Sequence, residues 1–162
     1  MYHRFGESRY PTTNVSLEQF ESHLEFISQG DYTVVPLIEI IETLQSGGVI
    51  KDKTLAITVD DAYLSVYTEA WPRLKKYGFP FTIFVATDPV DNNLRNYMNW
   101  DQIRELLENG VTIGSQTKSH PHMHRLSPIK VEQEITLSNS RFLQEIGQYP
   151  QLFAYPYGEY SL

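Results

Sequence analysis

The chain has 162 residues, 41% of them hydrophobic and 20% charged, which is the make-up of one globular domain with a sizeable core. Its formal net charge of -7 leaves no basic stripe to release counterions from a phosphate backbone. That excludes nucleic acid as the natural partner and leaves a neutral or partly cationic glycan compatible. Cysteine is absent, so disulfides and thiolate metal sites are excluded, and any metal must bind through His, Asp, Glu or Gln.

The opening Met1-Tyr2-His3-Arg4-Phe5 shows no basic segment followed by an apolar one, so no signal peptide is visible and the compartment stays open. Apolar stretches such as 82–87 are far too short to cross a bilayer. Residues 17–28 carry apolar side chains at 17, 20, 24 and 27, a helical spacing, with Ser16 as N-cap and Gln19 completing a capping box. Residues 32–35 read as a short strand, and 37–45 as a helix stopped by Gly47-Gly48. The run 54–59 is nearly continuous β-type sequence, as in a strand buried on both faces, and it ends at Asp60-Asp61.

A helix is predicted over 65–77, closed by Gly78, and a buried strand over 81–85. Residues 88–98 read as loop, 100–108 as a helix with Trp100 packed at its start, and 111–114 as a strand. The loop 115–126 is dense in histidine. Ser127-Pro128 opens a helix running to about residue 146, and 152–154 is a last strand entering Tyr155-Pro156-Tyr157-Gly158. No internal repeat or low-complexity linker interrupts this order. Alternating strands and helices imply a parallel sheet, open or closed into a barrel. The unusual polar residues gather just after strands, at the carboxyl edge where such folds keep their sites.

Two features there carry chemistry. Asp60 and Asp61 at the mouth of an apolar strand are costly to bury without a partner; a divalent cation would bind one while the other handles protons. The alternative is a helix N-cap beside a solvated neighbour. The second feature is Ser115-Gln-Thr-Lys-Ser-His120-Pro-His122-Met-His124, which holds three of the five histidines of the chain. Neutral imidazole is the commonest nitrogen ligand for zinc and its neighbours. A polar surface loop with incidental histidines is the alternative reading.

Together these features resemble a known family. Thr58-Val-Asp-Asp-Ala62 resembles the first motif, T-F-D-D-G, of the polysaccharide deacetylases, carbohydrate esterase family four with the NodB-homology domain. Residues 113–127 resemble the second motif, H-[ST]-x-x-H, with its trailing S-H-P and L-S. Phe153-Ala-Tyr-Pro-Tyr-Gly158 is similar to the third, R-x-P-[YF]-G. Residues 1–5 are similar to the first barrel strand of a subgroup acting on exopolysaccharide and peptidoglycan-like substrates. The resemblance covers nearly the whole chain in the right order.

It implies an α/β fold, a distorted (β/α) barrel of fewer than eight strands, as a single domain over 1–162. It also implies metal-dependent hydrolysis of N-acetyl groups from an amino-sugar polymer. Asp60 matches the general base and Asp61 the metal-ligating carboxylate. His120 matches the second histidine of the metal pair, and Tyr157 the residue whose backbone N–H holds the oxyanion. Tyr155, Pro156 and Gly158 belong to the substrate-binding turn. The implied cofactor is a divalent metal, with Zn²⁺ the expected ion.

This sequence departs from the pattern at several points. Gln116 stands where the first metal histidine belongs, and its carbonyl is a weaker donor toward zinc than imidazole. His124, four residues after His120, is an alternative third ligand if the loop turns helically. Ala154 replaces the arginine that orients the catalytic aspartate, and Ala62 replaces glycine. The chain stops after the third motif, so the C-terminal part of the family domain, with the histidine that acts as general acid, is expected to be missing. His3, His23 and His122 do not match the context of that histidine.

Two rivals stand beside this reading. A glycosidase needs two carboxylates flanking the scissile bond at ~5–9.5 Å, usually from different strands, which adjacent Asp60 and Asp61 fit poorly. A glycan-binding domain of the same fold that has lost catalysis accommodates Gln116, Ala154 and the missing motifs.

Overall fold

The structure is a computed structural model and describes residues 1–160. Its named strands all pair in parallel, and a single antiparallel bridge joins Tyr63 to Tyr97. Strand β1 (Arg4–Phe5) pairs with β2 (Asn14–Val15), and β3 (Thr33–Val34) pairs with β4 (Thr54–Leu55). At the centre, β5 (Ile57–Asp60), β6 (Phe81–Val85) and β7 (Thr112–Ser115) form a three-stranded sheet in that order. Single parallel bridges extend this sheet at both edges, Tyr2 to Val59 on one side and Ser115 to Phe153 on the other. The predicted α/β class holds. Among the described residues the pairing forms an arc that does not close into a barrel.

Every residue of β6 is buried, as its unbroken apolar run and central position require. The run 54–59 is not one strand, however. It breaks at Ala56, so that β4 pairs with β3 while β5 pairs with β6. The register sets Asp60 beside Phe84 and Val85 beside Ser115. Asp60-Asp61 and Ser115-Gln116 therefore leave the sheet at the same edge. Gly114 is needed for the packing between them, since a Cβ there would lie 2.5 Å from the Phe84 ring.

Helices cover the sheet. Helix α1 (Leu17–Gln29) starts at the predicted capping box, with Ser16 Oγ accepting from Gln19 N at 3.1 Å and Gln19 Oε1 from Ser16 N at 3.3 Å. Such a cap is worth about 1 kcal/mol. The helix buries Phe20 and Leu24 fully, at roughly 1.5–3 kcal/mol each. Helix α2 (Leu37–Gln45) follows the prediction closely.

The predicted helix over 65–77 has two parts, a π-helical turn Val66–Ala70 and α3 (Trp71–Tyr77). Pro72 is the cause. It has no N–H to continue an α ladder, and the wider turn accommodates the loss, with Trp71 N bonding Val66 O.

Residues 88–98 were expected to be loop, but α4 (Thr87–Asp91) occupies their start. Pro89 near its N-terminus fits a helical first turn. Helix α5 (Trp100–Glu108) begins at an Asn99–Gln102 capping box. Trp100 is core, edge-on to Phe142, with its Nε1–H donating to Asp91 at 2.7 Å. Helix α6 (Pro128–Ile146) ends at left-handed Gly147. Among the described residues no helix is long and apolar enough to cross a membrane.

Candidate active site

A cleft of about 830 Å³ opens at the carboxyl edge of the central sheet. Its walls include His3, Asp60, Asp61, Gln116, His120 and Tyr157.

Asp60 closes β5, and its N–H donates to Tyr2 O at 2.9 Å. Asp61 N donates to Phe84 O at 3.0 Å, and the chain then turns through positive φ at Asp61 (73°) and Ala62 (49°). Left-handed geometry at two residues with side chains is costly, and the family-type glycine at position 62 would ease it. The helix-cap reading of this pair does not apply: the next helical residues begin at Leu64, beyond the bridge residue Tyr63. Both carboxylates stay on the cleft wall, with side chains 16% and 15% exposed.

The second wall is the segment after β7. Ser115 ties it down, with its N–H donating to Leu152 O, its carbonyl accepting from Ala154 N, and its hydroxyl paired with Ser138 of α6. Gln116 N donates to Val85 O at 2.9 Å, which buries the side chain to 3% exposure. Its Oε1 has no hydrogen-bond partner within the protein. Glu134 of α6 then holds the loop, accepting from Lys118 N, Ser119 N and Ser119 Oγ at 3.1, 2.8 and 2.7 Å. Thr117 and His120 have φ of 70° and 57°, although His120 precedes Pro121, where extended backbone is preferred. Strain of this kind is kept where surrounding structure enforces it, and it clusters at functional sites. The result is His120 Nε2 at 3.3 Å from Asp61 Oδ1.

The structure brings Asp60, Asp61, Gln116, His120, Tyr155, Tyr157 and Gly158 to this cleft. Pro156 lies buried beneath the 3₁₀ turn Pro156–Gly158, in which Tyr157 adopts φ 60°. His124 is not brought there. It sits within the one-turn 3₁₀ segment Met123–Arg125 rather than an α-helical one, its Nδ1 lies 3.1 Å from Glu159 Oε2, and it lines a separate groove with Met123 and Leu126.

His3 is the residue that sequence reasoning passed over. Its Nε2 stands 3.8 Å from Asp60 Oδ2 and 4.0 Å from Asp61 Oδ2. The available signal was the resemblance of residues 1–5 to a strand that pairs beside the Asp60 strand.

Burial pushes the Asp60 carboxyl above the usual carboxylate range; His3 opposes this and the neighbouring Asp61 adds to it. Burial likewise holds the His120 imidazole below its ordinary value, against the pull of Asp61. Asp60 is thereby made a better proton acceptor than a surface aspartate, and His120 is kept in the neutral form that metal ligation needs.

Among the described residues no three His, Asp or Glu side chains converge tightly enough to hold an ion by themselves. The donor chemistry nevertheless fits a divalent cation once the unpartnered, buried oxygen of Gln116 is counted with Asp61 and His120. That set has two oxygens and one nitrogen, harder than a zinc site with two histidines.

The chain is similar to known proteins. YxkH of Bacillus subtilis, which carries the polysaccharide deacetylase family name, is 27% identical over 161 residues, covering 99% of this chain and 56% of that protein. A Staphylococcus aureus poly-beta-1,6-N-acetyl-D-glucosamine N-deacetylase is 29% identical over 159 residues, 90% of this chain and 54% of the relative. The chain thus spans about half the length of these curated relatives. The structure of Streptococcus pyogenes deacetylase PplD in complex with acetate superposes with a TM-score of 0.89 at 25% identity, covering 99% of this chain and 74% of that one. Residues 47–162 match the family model described as Polysaccharide deacetylase, and the chain belongs to the polysaccharide deacetylase family.

Proposed function

We propose that this chain is a metal-dependent polysaccharide N-deacetylase domain that hydrolyses N-acetyl groups from an amino-sugar polymer. The observation that carries the reading is the meeting of Asp61 and His120 at 3.3 Å in a cleft that also holds the second carboxylate, Asp60, and the unpartnered Gln116 oxygen. The name of the Staphylococcus aureus relative supports a polymer of N-acetylglucosamine as the substrate class. The parallel arc is read as part of a distorted (β/α) barrel of fewer than eight strands, with residues 1–162 acting as one domain.

Asp61, His120 and Gln116 would hold the divalent cation, with His3 flanking Asp61. When bound, the cation supplies Lewis-acid polarisation of the acetamide carbonyl and activation of water. Asp60, with its raised carboxyl pKa, accepts the proton of the attacking water. The Tyr157 backbone N–H, presented by the left-handed turn, donates to the developing oxyanion, an effect worth about 3 kcal/mol per donor in acyl transfer. Tyr155 and Gly158 line the approach for the sugar, and buried Pro156 fixes their turn. The C–N bond then breaks as the leaving nitrogen takes up the proton that Asp60 accepted, releasing acetic acid, which ionises to acetate, and the free amine.

Acetate release from N-acetylglucosamine oligomers tests the reading. Asp60→Asn should abolish release while the metal content of the protein stays intact. Turnover unchanged by that substitution would remove Asp60 from the mechanism.

A further inference from the structure

A second polar contact lies beside the cleft and is used by none of the chemistry above. Glu159 Oε2 is 2.7 Å from His122 Nδ1 and 3.1 Å from His124 Nδ1. A carboxylate accepts only, so the His122 ring presents Nδ1–H to it, while His124 stands within ion-pair distance. The Tyr157 ring fills the space beside this contact. It stacks on His122 with centroids 4.1 Å apart and planes 12° apart, and meets His120 edge-on at 4.6 Å.

These contacts join two segments that leave different places in the fold. His120, His122 and His124 belong to the loop after β7, whereas Tyr157 and Glu159 belong to the turn at the end of the described chain. Within the turn, Gly158 N donates to Tyr155 O at 2.9 Å and Glu159 N to Pro156 O at 3.3 Å. Those bonds shape the turn but do not fix its distance from the histidine loop. Tyr157 also adopts φ 60°, a conformation a non-glycine residue keeps only where its surroundings hold it.

We propose that Glu159 is a positioning residue: by gripping His122 and His124 across the Tyr157 ring, it holds the Tyr157 amide in register with His120. This rests on the deacetylase reading only for its catalytic consequence. An oxyanion donor acts through its placement, and displacement by about 1 Å can cost on the order of a hundredfold in rate.

The test uses the full chain with Glu159→Ala, Glu159→Gln and His122→Phe. His122→Phe keeps a ring to stack on Tyr157 but removes the donor. Amide hydrogen exchange over 155–158 reads the clasp without any need for activity. Glu159→Ala and His122→Phe should each speed exchange there by about tenfold, and the double variant should add little to either single one. Unchanged exchange, or fully additive effects, overturns the inference.

In the acetate assay, Glu159→Ala should lower kcat by about tenfold with KM within about twofold, since the interaction is made only in the transition state. Glu159→Gln, which keeps one carbonyl acceptor, should recover part of the loss. A rise in KM at constant kcat would make Glu159 a substrate-binding residue and overturn the positioning role. A wild-type chain with no acetate release would instead sink the deacetylase reading, and the exchange result would still decide whether the clasp exists.

Discussion

His3 Nε2 stands 3.8 Å from Asp60 Oδ2 because the Tyr2 carbonyl accepts from Asp60 N, which seats the first strand directly against the strand that ends in the two aspartates. The imidazole therefore offsets part of the cost of burying the Asp60 carboxylate. Removing it in His3→Ala should push the Asp60 carboxyl still higher. The acid limb of the kcat/KM profile should then move to higher pH, and the rate at pH 6 should fall more than the rate at pH 8. A profile that only scales down, with its acid limb unmoved, would leave His3 without an electrostatic role.

The raised Asp60 carboxyl has a consequence for stability. The folded state holds the Asp60 proton more tightly than the unfolded chain does. The stability contributed by that proton is fully present below the unfolded value and is lost as pH rises through the folded one. Asn imitates the protonated acid at every pH. In metal-free protein, Asp60→Asn should therefore raise Tm at pH 7, and the gain should shrink as pH falls through the carboxylate range. Thermal unfolding in chelator checks this.

Gln116 marks a limit on metal choice. Its amide oxygen is already buried and aligned by the Gln116 N to Val85 O bond, so Gln116→His would offer zinc a second imidazole. Zn²⁺ affinity measured by calorimetry should rise by about tenfold or more, equivalent to about 1.4 kcal/mol or more. Unchanged affinity would place the Gln116 side chain outside the coordination sphere.

Gly114 is where the sheet admits no side chain. A Cβ would press on the Phe84 ring at 2.5 Å and lie 3.2 Å from Leu152 O. Gly114→Ala should cost about 1–3 kcal/mol in urea unfolding, the range for overpacking a tight site. It should also disturb the Ser115–Gln116 segment that follows.

The sequence carried its information unevenly. Strands such as β6 were legible because they are short apolar runs, and α1 because its capping box is local. The candidate site edge was legible because Asp60-Asp61 and the histidine loop are unusual in composition and follow strands. The π-helical turn before Trp71 was not, since the effect of Pro72 is resolved only by the packing of the turn around it. The break at Ala56 depends on which neighbour each half finds, a tertiary matter. His3 and Glu159 acquire partners through contacts between distant segments, and a lone His or Glu shows no periodicity. His124 would share a face with His120 only if the loop turned helically, and Pro121 and the left-handed His120 take the loop off a helical path.

Direct measurement of metal binding tests the central claim most sharply. Purified protein, stripped with chelator and titrated with Zn²⁺ and Co²⁺, should bind one ion per chain, and both Asp61→Asn and His120→Ala should abolish that binding without unfolding the protein. Retention of one ion per chain by both variants would contradict the account, because the cation would then lie away from the pair that leaves β5 and β7.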